Sequence, residues 1–163
     1  MRPGGGKGKG AGFERLICVE LSKWVTNGAQ TDCFWRSAMS GGRATIRHRQ
    51  GIKVRQGGDI CAVSSEGFAF VDYWFVECKF VRRLNLESFL LSDQGDIAKF
   101  WRVALGQARR DKKEPMIIAK QNNGPILVVT RPGKLAKHTE PQLTSHARYC
   151  DVSLFNDMLQ GNP

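Results

Sequence analysis

The run Tyr73-Trp74-Phe75-Val76-Glu77-Cys78-Lys79-Phe80-Val81 is aromatic or β-branched at most positions and reads as a buried strand. Its period of two sets Glu77 and Lys79 on one face. Two charges therefore point the same way from a core strand. Burying an unpaired carboxylate or ammonium costs several kcal/mol, so such a pair implies a metal, a phosphate, or both. Asp59 stands at the end of a second candidate strand, Asp59 to Val63, with 17 positions between it and Glu77. Pairing that strand beside the first would bring the two carboxylates together, and close carboxylates need a cation. The spacing alone also fits a Glu77–Lys79 surface pair on an edge strand, so other segments must decide.

Phe13, Leu16, Ile17, Leu21 and Trp24 recur at helical spacing, which predicts an amphipathic helix with Glu14 in its first turn and an end near Asn27-Gly28. An acid in a first turn also simply complements the helix dipole. Arg36 to Arg43 is a Gly-containing turn that carries Ser40 between arginines, which also fits an ordinary loop. Met1 to Gly12 holds six glycines with Arg2, Lys7 and Lys9 and reads as a flexible cationic arm, with a single domain over 13–163. The arm is not a P-loop, because no strand precedes it and no Gly-Lys is followed by Ser or Thr.

Taken in order, the basic arm, the helix with Glu14-Arg15, the Ser40-Gly41-Gly42 turn, Gly58-Asp59-Ile60 and Glu77-Cys78-Lys79 resemble the archaeal-type Holliday junction resolvases of the PD-(D/E)XK nuclease superfamily, phage proteins of that kind included. The resemblance covers residues 7–130. Gly58 stands where the superfamily motif has Pro, and the length after residue 130 is extra. The resemblance implies an α/β, restriction-endonuclease-like core with a central mixed sheet flanked by helices. It implies Glu14, Ser40, Asp59, Glu77 and Lys79 as active-site residues. Asp59, Glu77 and the backbone carbonyl of Cys78 would hold Mg²⁺, with Mn²⁺ as a substitute and Glu14 reaching the metal through water. It further implies a homodimer that nicks four-way junctions symmetrically, in the host cytoplasm if the protein is phage-encoded.

Charge points the same way without requiring catalysis. The chain has 163 residues and a formal net charge of +10, enough length for a real core and enough charge for a polyanionic partner. Residues 1–55 hold 11 Lys/Arg against 3 Asp/Glu, while 56–163 hold 14 against 12. The DNA-binding surface is therefore expected from Arg2, Lys7, Lys9, Arg36, Arg43, Arg47, Arg49, Lys53 and Arg55, with Lys120 as a further phosphate contact or a solvated strand-end lysine. Structural RNA-binding proteins are equally basic, so charge alone favours generic nucleic-acid binding.

The five cysteines show no C-x-x-C and read as buried free thiols of a reducing compartment, and no zinc-ligand spacing exists. No apolar stretch is long enough to span a bilayer, and the N-terminus lacks a signal-peptide core; a soluble, intracellular protein is expected. Further along, Cys33 to Ala38 suggests a strand, 43–56 a basic hairpin or loop, and Asp93 to about Arg110 a second amphipathic helix. Pro115 to Lys120 and Pro125 to Thr130 suggest strands joined by Asn122-Asn123-Gly124, a hairpin turn signal. Arg131 to His146 should be exposed loop, and Cys150 to Leu159 a strand leading into a helical turn. Phe89, Leu90 and Leu91 are candidates for dimer surface or for core. Three functions compete: a junction resolvase, another PD-(D/E)XK repair or restriction-type nuclease, and a non-catalytic basic nucleic-acid-binding protein whose carboxylates form salt bridges.

Overall fold

The computed structural model describes residues 5–37, 55–139, 141, 143–144 and 149–163. The chain divides into two compact units, Met1–Cys78 and Lys79–Pro163.

In the first unit, helix α1 (Gly5–Val25) buries Phe13, Ile17, Cys18 and Leu21 in a stripe at i, i+4 and i+8. Leu16, expected on that stripe, is 42% exposed. The helix stops where Asn27 and Gly28 take φ of 50° and 86°, and the Gly28 N–H donates to the Lys23 carbonyl at 2.7 Å. Its start is a correction: residues 5–12, expected as an arm, are helical, so Lys7 and Lys9 lie in the opening turns and Glu14 well inside the helix. Once Phe13 and Ile17 anchor the helix, each added residue gains a backbone hydrogen bond, which offsets a glycine cost of about 0.5–1 kcal/mol per residue.

Strands β1 (Phe34–Arg36), β2 (Arg55–Gly57) and β3 (Ile60–Ala62) form an antiparallel sheet of order β1-β3-β2, with Arg36 and Gly57 both opposite Ile60. A 3₁₀ turn (Ser65–Gly67) leads into α2 (Phe68–Tyr73), a helix that the sequence reading lacks. Phe70 in α2 meets Phe34 edge-on at 5.6 Å and Trp24 at 6.1 Å, which joins α1, β1 and α2 in one aromatic cluster. Strand β4 (Trp74–Val81) follows. The expected pairing of the Asp59 strand beside the Glu77 strand does not occur, since β3 and β4 belong to different sheets. A single parallel bridge, Gly58 to Val76, joins the two segments instead.

Ser22 fixes α1 against β1. It is fully buried, donates to the Cys18 carbonyl at 2.7 Å and accepts the Phe34 N–H at 3.1 Å.

The second unit contains a five-stranded sheet of order β4-β5-β6-β8-β7, with β5 (Glu114–Gln121), β6 (Ile126–Thr130), β7 (Leu143–Thr144) and β8 (Asp151–Leu154). The β5–β6 hairpin turns at the expected Asn122-Asn123-Gly124, with Asn123 at φ 55°. Helix α4 (Asp96–Asp111) is the helix expected from near Asp93 to about Arg110, and a further helix, α3 (Leu86–Ser92), precedes it, separated by Asp93 and Gly95 at φ of 53° and 90°. Ile97, Trp101 and Ala104 of α4 pack with Ile117, Ala119, Leu127 and Val129 of the sheet. Helix α5 (Phe155–Gln160) packs against β6 and β8. Phe89 is fully buried in this core and cannot serve as dimer surface, whereas Leu91 is 69% exposed. Leu135 is also buried, so the stretch after Arg131 is not all exposed loop.

Substituting Ser22→Ala should destabilise the fold by about 1–3 kcal/mol, because the Phe34 N–H loses its acceptor in a buried setting. Urea denaturation of both proteins measures the difference, and equal midpoints would remove Ser22 from this role.

Candidate active site

Asp59 owes its position to the residue before it. Gly58 has φ of 78°, and a Cβ there would overlap the Val76 carbonyl oxygen. Only glycine adopts this conformation at this distance without strain. The Asp59 N–H then donates to the Val76 carbonyl at 2.7 Å, and the Cys78 N–H donates to Asp59 Oδ2 at 2.8 Å. On the other side, Ser37 Oγ donates to the Gly58 carbonyl at 2.6 Å and the Ser37 N–H to the Asp59 carbonyl at 2.8 Å. The loop carrying the carboxylate is thus held from β1 and β4 together. Proline, which the superfamily motif has here, fixes φ near −65° and could not make this turn.

On β4, Glu77 and Lys79 are half-buried and share a face, while Cys78 between them is buried on the other. Burial pushes the Cys78 thiol well above its ordinary value, and the charges of Asp59, Cys18, Glu14 and Glu77 add to the rise in that order. Three carboxylates from α1, the Gly58–Asp59 turn and β4 therefore act on one point. The Cys18 thiol is pushed up to about 12, by burial first, then by Cys61 and Glu14.

Glu14 is ion-paired with Arg36, both side chains being largely buried. Arg36, expected as a DNA contact, faces Glu14 here. Arg55, also expected on DNA, pairs with Asp72 and lies 4.3 Å from the Phe68 ring centroid. In the second unit, Lys79 Nζ lies 5.5 Å over the Phe100 ring and Lys120 Nζ 5.8 Å over Phe80. Lys9 is exposed on α1. Ser40, Arg2, Arg43, Arg47, Arg49 and Lys53 lie outside the described residues, as does the side chain of Lys7. Sequence reasoning missed Ser37; its only signal is a hydroxyl directly after the strand that ends at Arg36.

The donor set suits a hard cation, since Asp59, Glu77 and the Cys78 carbonyl offer oxygen only. Among the described residues no group of three or more His, Cys, Asp or Glu side chains could close around an ion by itself. The set fits an ion that keeps several of its waters, as Mg²⁺ does.

Gly58→Ala should unseat Asp59, because the new Cβ would force the loop away from Val76. Nuclease activity should fall by at least tenfold while thermal stability changes far less, which a paired activity assay and melting curve will read. Unaltered activity would show that Asp59 does not depend on the bridge.

The chain can now be set beside known proteins. No match was found among curated proteins or among solved structures. A family model matches residues 5–157, a span that includes Glu14, Asp59, Glu77 and Lys79 as well as both sheets. The chain therefore belongs to the phage putative PDDEXK endonuclease family and is a nuclease with a restriction-endonuclease-like, mixed α/β fold.

Proposed function

We propose that this nuclease is a metal-dependent endodeoxyribonuclease that resolves four-way DNA junctions by symmetric nicking as a homodimer. The observation that carries the catalytic part is the Cys78 N–H bond to Asp59 Oδ2 at 2.8 Å, which sets one carboxylate beside the backbone that bears Glu77 and Lys79. Asp59, Glu77 and the Cys78 carbonyl would hold Mg²⁺, or Mn²⁺ in its place. When bound, the ion lowers the pKa of a coordinated water and neutralises charge on the phosphate at the transition state. Asp59 is locked by its backbone bonds and supplies a fixed oxygen. The Lys79 ammonium, two residues beyond Glu77 on the same face, positions the attacking water or stabilises the developing oxyanion. Arg36 holds Glu14 at the margin, where it reaches the metal through water. Ser40 contacts the scissile phosphate in this reading.

The choice of branched DNA rests on the order of motifs shared with the junction resolvases, and the dimer on the need for two sites at a fixed separation. Action in the host cytoplasm belongs to the same reading; among the described residues no helix is long and apolar enough to cross a membrane.

Asp59→Asn and Glu77→Gln should each lower Mg²⁺-dependent cleavage by about two orders of magnitude or more while DNA binding survives. Ca²⁺ in place of Mg²⁺ should likewise allow binding without cutting. Near-wild-type turnover by either variant would sink the metal assignment.

Incubation with a labelled four-way junction, a matched duplex and a single strand should give paired symmetric nicks on the junction alone. Sedimentation should give twice the 18.2 kDa chain mass. A monomer that cuts duplex and junction at equal rates would favour a repair or restriction-type nuclease. Binding without any cutting would favour a non-catalytic nucleic-acid-binding protein.

A further inference from the structure

The second unit carries a cavity of about 590 Å³ that the catalytic reading does not use. That volume falls within the roughly 300–1,000 Å³ of small-ligand sites. Trp101 and Leu105 of α4 and Tyr149 give the lining an apolar part, and Arg102, Arg131 and Asp93 supply charge. The aromatic wall is held in place. The Tyr149 ring meets Phe89 edge-on at 6.4 Å, and its phenol, hydrogen-bonded to the Asp93 carboxylate, is pushed up to about 12 by burial first and by Asp93 next. Arg131 also reaches Glu114, at 3.6 Å.

A second observation lies on the same helix. Lys99, Arg102, Arg109 and Arg110 are exposed on α4 and, at 3.6 residues per turn, fall within an arc of about 100°. The buried residues Ile97, Trp101, Ala104 and Ala108 occupy a different arc. A charged helix face is ordinarily just solvated, but here Arg102 belongs both to the basic row and to the cavity. Cations on one helix face attract a phosphate backbone, and a fixed aromatic ring beside a guanidinium is suited to the face of a nucleobase.

We propose that this cavity takes one unpaired nucleotide of the DNA substrate, with its base against Tyr149 and the apolar wall, its phosphate on Arg102 and Arg131, and the flanking backbone along the basic row of α4. The proposal rests on the reading of DNA as substrate and deepens it, because such a subsite would select DNA that offers an unstacked base, as branched or bulged DNA does and linear duplex does not.

The test uses full-length Asp59→Asn protein, so that DNA stays intact, with a duplex carrying one bulged 2-aminopurine and its fully paired counterpart. Tighter binding of the bulged duplex, by about tenfold, with quenched 2-aminopurine emission is expected, since stacking contributes about 1–3 kcal/mol per base. Arg102→Ala, a change at an exposed side chain, and Tyr149→Leu should each bring the ratio of the two affinities toward one. Tyr149→Phe, which keeps the ring, should retain most of it. Equal affinities with unchanged emission would overturn the subsite, and so would an Arg102→Ala loss that is the same for both duplexes. Wild-type protein that cuts DNA in Mg²⁺ but shows no bulge preference would sink the subsite alone. Wild-type protein that neither binds nor cuts any DNA would sink the DNA reading and the subsite with it.

Discussion

A carboxylate near other carboxylates must be held against their repulsion, and in this chain the backbone does the holding. The Asp59 side chain accepts the Cys78 N–H, its own N–H is given to Val76, and its carbonyl receives the Ser37 N–H. These bonds form only because Gly58 lets two backbones approach more closely than any side chain allows. Peptide groups carry no net charge to be screened or titrated, so the backbone part of this arrangement does not itself require a cation. The ion would enter a site already shaped, which keeps the cost of ordering its ligands out of the binding step.

Some of the chain's 25 Lys and Arg residues are already engaged with carboxylates. Arg36 is engaged with Glu14 in a largely buried pair, and Arg55 is engaged with Asp72 near the surface, where such a pair contributes little to stability. The buried pair has a different weight. Removing Arg36 would leave a largely buried Glu14 carboxylate without its counter-charge, a situation whose cost usually exceeds the worth of the pair itself.

What was legible in the sequence was whatever depends on neighbours along the chain. Alternation in Tyr73 to Val81 gave the strand and the shared face of Glu77 and Lys79, Asn-Asn-Gly gave the hairpin, and the 3.6-residue pattern gave the core face of α4. Three local features misled. The apolar run from Phe68 merges with the strand after it and hides α2, the seven residues of α3 are too few to show a helical period, and glycine content concealed the helical start at Gly5. Within the site, the D, E and K positions could be read, but their junction could not. It is a lone parallel bridge rather than a ladder, and the Glu14–Arg36 pair joins residues that periodicity cannot relate.

The first compact unit is an unbroken stretch of sequence, and it contains Glu14, Ser37, Asp59 and Glu77. The loop closed by the Gly58–Val76 bridge is short, so closing it costs little chain entropy. During synthesis at about 5–20 residues per second, these segments leave the ribosome before the sheet of the second unit has been made. The groups that hold Asp59, from Ser37 to Cys78, are therefore all present to one another before most of the second unit's sheet exists.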